Sequence, residues 1–432
     1  MRDNWLRAIL VLAGLCGMTA GDDWPQWRGP SRDGVWRETG IISQFEGDDI
    51  PIRWRVSVSN GYNGPTVAEG GVYVMDRVTE PREVERVHCF DARTGSPVWS
   101  RQYACEYEKI GYTDGPRAAI SIDDGRAYSL GAMGHLHCWD AETGHVIWSH
   151  DLRDVYNIRM PTWGIAASPL IEDGLIIVQI GGRPQACIVA LDKISGSPRW
   201  RAIDDQASYS APIIVEQAGR RVLVCLTGNQ VVGLNPMTGH MYWRSPFPAS
   251  RMPISIATPV LYDGYLFFSS FYDGSLVLRL QPDALAVEEV WRQKGPNERN
   301  TRSLHCCIST PVIRDGYIYG VDSYGELRCL DLRTGRRIWE SLDAVPKARW
   351  ANIHFVENGR SIWMFNERGE LIIARLSPQG FDEIDRAQLI EPTEGQLGQR
   401  GGVCWSHPAF AYKCVYARND KELVCADLSA HK

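Results

Sequence analysis

The residues whose types and spacing could do chemistry are a histidine pair, two adjacent cysteines and a set of repeated aspartates. Each also has a plainer structural use. His135 and His137 lie two apart, so a strand would put both imidazoles on one face. A zinc site needs three or four ligands. No others lie in sequence reach, and two strand residues are the simpler reading. Cys306 and Cys307 are adjacent at the entry to a strand, and two packed thiols explain them. Asp91, Asp140, Asp192, Asp331 and Asp427 make a carboxylate-rich set, but each belongs to one recurring phrase and reads as a turn-builder. No Ser-His-Asp order and no phosphate-cradling glycine loop stands out. The expectation is therefore no catalytic set and no metal site.

The phrase sets the architecture. It reads CFDARTGSPVW (89–99), CWDAETGHVIW (138–148), ALDKISGSPRW (190–200), GLNPMTGHMYW (233–243) and CLDLRTGRRIW (329–339). A degenerate copy, RLQPDALAVEEVW, ends on Trp291; another begins at Arg375 and has lost its tryptophan; the last, CADLSAHK, holds Asp427. The Asp or Asn (Asp91, Asp140, Asp192, Asn235, Asp331) can accept from backbone N–H groups two residues on. The glycine (Gly95, Gly144, Gly196, Gly239, Gly335) supplies the positive φ of the turn. The closing indole (Trp99, Trp148, Trp200, Trp243, Trp291, Trp339) suits a gap between packed sheets. Upstream, SPLIEDG (168–174), TPVLYDG (258–264) and TPVIRDG (310–316) each read as a strand and an Asp-Gly hairpin turn. Each unit is thus four antiparallel strands, near the period of a propeller blade. The fold expected is all-β, an eight-bladed β-propeller of four-stranded blades. Its last blade is completed, and the ring closed, by residues 52–56 with Trp54.

The phrase resembles the tryptophan-docking motif of eight-bladed propellers with pyrroloquinoline quinone (PQQ)-type repeats, and the likeness covers nearly the whole chain after residue 20. The segment DWPQWRGP (23–30) also looks like the start of exported PQQ-like repeat proteins. That family includes PQQ-dependent alcohol dehydrogenases and non-enzymatic BamB-like propellers. A dehydrogenase would hold PQQ over Ca²⁺ with carboxylate and amide ligands and carry a vicinal disulfide, for which Cys306-Cys307 is the candidate pair. The top-face loops do not supply two carboxylates and an amide at family spacing. No cofactor is therefore expected, and a BamB-like binding or scaffold role, mediating protein–protein contact in the cell envelope, is preferred to a small PQQ-dependent oxidoreductase acting on alcohols or sugars. Candidate top-face binding residues are Tyr62, Arg117, Trp163, Tyr209, His305, Trp350 and Trp405, aromatic and basic groups of the kind enriched at hot spots. The longest loops, 101–116, 150–162, 292–304 and 391–402, would carry such contacts.

Bulk properties fit an exported binding protein. The chain has 432 residues, 41 of them Gly, and a net charge of −6 with signs mixed, so no basic footprint for nucleic acid exists. Arg2 and Arg7 precede an apolar run and small residues at 19–21, the layout of a signal peptide. Residues 1–20 are expected to be that peptide, 21–51 an extension and 52–432 the propeller. The mature chain is expected to be a secreted or periplasmic monomer without a transmembrane segment, binding a protein or envelope component. Leu15 before Cys16 departs from a lipobox.

Overall fold

Each Asp-Gly turn and each Asx-Gly phrase becomes a hairpin, and the computed structural model, which describes residues 23–47 and 50–430, folds into eight four-stranded antiparallel sheets. Blade one is Thr66–Ala68, Gly71–Val78, Val84–Asp91 and Pro97–Ala104. Six more follow in chain order, each a meander from inner to outer strand. Blade eight takes Ala409–Ala411, Cys414–Arg418 and Glu422–Asp427 from one end of the chain and Ile52–Ser57 from the other, with Trp54 opposite Cys425. The ring is thereby closed, and no blade is left with a free face.

The repeated residues form one joint, used around the ring. Asp91 Oδ1 accepts from the N–H groups of Arg93 and Thr94, and Asp140, Asp192 and Asp331 make the same turn. The glycine that follows has φ between 67° and 72°. The previous blade's indole lies against it, and a Cβ on Gly95, Gly144, Gly196, Gly239 or Gly335 would approach the ring of Trp54, Trp99, Trp148, Trp200 or Trp291 to 2.5–2.9 Å. Each of these indoles donates from Nε1 to the carbonyl after the Asx, as Trp54 does to Ala92 (3.0 Å) and Trp99 to Ala141 (2.9 Å). Across its own hairpin the tryptophan faces a small residue, Cys89, Cys138, Ala190, Gly233 or Cys329, just before a β-bulge. Trp291 faces Val277 at the same place.

Two joints differ. Blade five carries the degenerate phrase, so Trp243 donates to Gln217 Oε1 and Gln217 Nε2 reaches the carbonyl of Ala286 (2.6 Å). Blade seven has Asp385 where a docking tryptophan would stand, paired with Ile373 before the bulge. There residues 35–45 fill the seam. Asp385 accepts from Phe45 N (2.6 Å), and Leu428 O, the acceptor after Asp427, is taken by Ile42 N (2.9 Å) instead of an indole. Asp427 itself accepts from Ser429 N and pairs with Arg53.

The rest of this N-terminal strap crosses the central channel on the side of the Asp-Gly hairpins. Trp24 pairs with Val67 of blade one, Arg32 donates to the carbonyls of Ser168 and Pro169 before blade three, and Trp27 Nε1 donates to Thr258 Oγ1 before blade five (2.7 Å). Gly34 and Trp36 then pair with Glu357 of blade seven. The segment read from sequence as an extension is thus part of the ring. The signal-peptide assignment lies outside the described residues. Among those, no helix is long and apolar enough to cross a membrane.

Candidate functional site

With the strap across one end, the channel is a blind cup of about 230 Å³ opening between the top-face loops. Trp27, edge-on to His407 (ring centroids 4.5 Å apart), and His354 form its floor. His407 Nδ1 accepts from Gly64 N, and His354 Nε2 donates to the Trp405 carbonyl (2.9 Å). Burial pushes the His354 imidazole down to about 4 and His407 well below its ordinary value, so both are neutral at pH 7.

The walls are aromatic. Tyr112 meets Tyr62, Trp163 and Trp405 at centroid distances of 6.4, 5.8 and 6.1 Å, and Trp163 continues to Tyr209 at 5.2 Å. Tyr272 and Trp350 complete the belt, with Ile254, Ile256 and Ile308 between them. Three of the wall residues have their polar tips engaged by protein groups. Tyr62 donates to Gln396 O, the Tyr209 hydroxyl accepts from Trp163 N, and Trp405 Nε1 donates to Glu367. Burial raises the Tyr62, Tyr112 and Tyr209 hydroxyls, Tyr209 to about 12, so all remain protonated. Tyr112 and Trp350 hold φ of 55° and 67°, a left-handed conformation costing a non-glycine residue roughly 1–2 kcal/mol.

Six of the seven predicted top-face residues line this cup: Tyr62, Arg117, Trp163, Tyr209, Trp350 and Trp405. His305 does not, and that expectation is corrected. It is fully buried, donating from Nδ1 to Phe271 O (2.9 Å) and accepting from Gly295 N, so it staples two loops together. The candidate vicinal pair, Cys306 and Cys307, is unbridged in this structure. Their side chains part, Cys306 entering the core between blades five and six and Cys307 lining the cup, and burial raises each to about 12. His135 and His137 both pack against Tyr103 (centroids 5.2 and 4.4 Å) in the seam between blades one and two. Sequence reasoning missed Trp27, Tyr272, Arg349, His354 and His407. The quoted DWPQWRGP segment held the only signal for Trp27.

The donor set decides what the cup can hold. No aspartate or glutamate lines it. Its two arginines are Arg117, hydrogen-bonded to the Gly111, Tyr112 and Gly115 carbonyls, and Arg349, paired with Glu298 at 2.7 Å. Calcium takes six to eight oxygen ligands, carboxylates prominent among them. Among the described residues no three His, Cys, Asp or Glu side chains cluster as a metal site. These residues do not fit PQQ held over Ca²⁺.

Behind Tyr62, Asp114 and Asp420 both approach Gly395, with Oδ2 atoms 2.8 and 2.6 Å from where its Cβ would lie. Burial, with the Asp420 charge second, pushes Asp114 up to about 6; its contact with Asn60 and the charges of Arg117 and Arg77 oppose this. A carboxyl whose pKa is higher folded than unfolded costs stability as pH rises through that window. Asp114→Asn should therefore match wild type below about pH 4 and exceed it by about 1–2 kcal/mol above pH 7, after discounting for solvent screening. Urea midpoints at both pH values test this; parallel pH profiles for the two proteins would refute it.

Residues 83–341 and 288–432 match the family model described as outer membrane protein assembly factor BamB. BamB of Yersinia pestis is 24% identical over 161 residues, and BamB of Shewanella oneidensis 26% identical over 162. Each match takes in 37% of this chain and 40% of the relative, so the chain spans less than half the length of either. Among solved structures, BamB from Moraxella catarrhalis superimposes with TM-score 0.60 at 18% identity, covering 88% of this chain and all of that one. Quinohemoprotein alcohol dehydrogenase from Comamonas testosteroni gives 0.67 at 13%, covering 96% and 82%. At such identities the structural likeness speaks for the fold alone.

Proposed function

Because the chain belongs to the PQQ-type repeat family represented by the assembly factor BamB, we propose that it is an exported, non-catalytic binding propeller that engages a protein partner through its top face. The observation that carries this is the blind axial cup, walled by aromatic rings and free of carboxylates. Rigid aromatic surface on a fixed scaffold binds well at little entropic cost. General acid–base chemistry, by contrast, needs a group that exchanges protons near neutrality. Tyr62, Tyr112 and Tyr209 stay protonated, and His354 and His407 stay neutral.

A photo-crosslinker at exposed Thr113 on the top face, expressed in the native host, should yield a discrete protein adduct. The same group at Arg93, in a turn on the opposite face, should not. Equal labelling from both faces would count against a top-face partner. The dehydrogenase neighbours set a second arm. Purified protein incubated with PQQ and Ca²⁺ should show no dye-linked oxidation of alcohols or sugars. Turnover would replace this reading with an oxidoreductase.

A further inference from the structure

Charge around the cup is uneven. The three loops at 246–258, 294–309 and 342–352 carry a net charge of +4, although the whole chain is at −6. The loops across the cup, 105–117 and 391–407, are each at −1. The basic side presents Arg251, Arg299 and Arg302 to solvent, and among the described residues none of the three forms an ion pair.

Three arginines stand over cup aromatics. Arg117 stands 5.1 Å from the Tyr62 ring centroid, Arg251 5.2 Å from Tyr272, and Arg349 4.4 Å from Trp350. Arg117 already donates to the Gly111, Tyr112 and Gly115 carbonyls and Arg349 pairs with Glu298, so among the described residues Arg251 is the one of the three whose guanidinium is left open to a carboxylate. The cup beneath is of side-chain size, apolar, and closed by Trp27. A cationic group would meet arginines and no carboxylate. A ring flanked by carboxylates would stack below and pair above.

We propose that the occupant is an acidic segment of a partner protein that inserts one aromatic side chain into the cup and lays its carboxylates on Arg251 and the basic loops. This rests on the binding reading and names the chemistry of the partner. Steering by the basic loops would speed encounter, and the buried ring would slow release.

The probe is the peptide acetyl-Asp-Asp-Phe-Asp-Asp-amide, followed by protein tryptophan emission, to which phenylalanine contributes nothing. Saturable quenching is expected. The Ala-for-Phe peptide should bind at least ~10-fold more weakly, and so should the lysine-flanked Phe peptide. Arg251→Glu, a change at an exposed side chain, should weaken the acidic peptide about 10-fold and narrow the gap to the basic one. Equal binding of acidic and basic peptides, no effect of Arg251→Glu, or no binding by any peptide would each overturn the proposal. The last result alongside a Thr113 adduct would leave the binding reading standing without it. No adduct together with quinone-dependent turnover would remove both.

Discussion

Trp54→Ala should lower the thermal midpoint by roughly 4–6 °C, the largest effect of any single docking-tryptophan change, because this indole closes the ring. Truncating a buried tryptophan costs about 3–5 kcal/mol. Unfolding entropy near 2 cal/mol/K per residue over a ring this size converts that to the shift stated. Trp54 is 8% exposed, donates to Ala92 O, and sits on a strand whose one sheet partner among the described residues is Glu422–Asp427. Other blades are bound to their neighbours by continuous chain as well as by the joint. The joint between blades eight and one has, on the eighth blade's side, a strand from the far end of the sequence. Its loss should therefore also admit protease near residues 50–58, which a merely local cavity would not do. Gly95→Ala should produce the same phenotype from the other partner, since its Cβ would meet the indole at 2.7 Å. A Trp54→Ala protein that melts with wild type and resists protease would mean that something else closes the ring.

What the sequence displayed of all this follows from how local each signal is. The Asx turn is made by an aspartate and the next few residues, and the docking indole by a fixed spacing from it. Blade number, strand order and the closing role of residues 52–56 were therefore readable. Most of the aromatic wall was readable too, because Tyr62, Trp163, Tyr209, Trp350 and Trp405 fall at entries to inner strands, whereas Tyr272 sits in a hairpin within blade five. Side-chain direction within those loops was not. His305 and Cys306 stand two residues and one residue from cup-lining Cys307, and both turn into the structure. The strap was opaque for a different reason. The absence of a tryptophan in blade seven is visible in the chain, but its replacement comes from Phe45, 340 residues before Asp385. Nothing periodic marks such a contact, and Trp27 reaches the cup floor only because the strap is anchored beyond it.

That anchoring gives the second large effect, expected at Trp36. Its indole is 2% exposed and packs on Trp363 of blade seven and Phe410 of blade eight, at centroid distances of 5.7 and 5.0 Å. Its Nε1 donates to Glu38 Oε2 (2.7 Å), and the Glu38 carboxylate accepts from Lys413 N (2.9 Å). Trp36→Ala should cost about 3–5 kcal/mol, comparable to Trp54→Ala, though it lies outside the repeat. The two changes flank blade eight from opposite sides. Either alone leaves that blade one intact seam, whereas both together leave it held by chain connectivity and the remnants of two joints. The double variant should therefore lose more than the sum of the singles, up to failure to accumulate folded protein, as expected when two sites share one cooperative element. Because the same strap carries Trp27, the Trp36→Ala protein should also bind the acidic phenylalanine peptide more weakly, with the peptide's own chemistry unchanged. Urea titrations of the three variants and peptide binding to the single variant at low urea test this. A midpoint for Trp36→Ala equal to wild type would reduce the strap to a surface ornament. Simple additivity in the double variant would mean that blade eight is not held from both sides in the way its contacts imply.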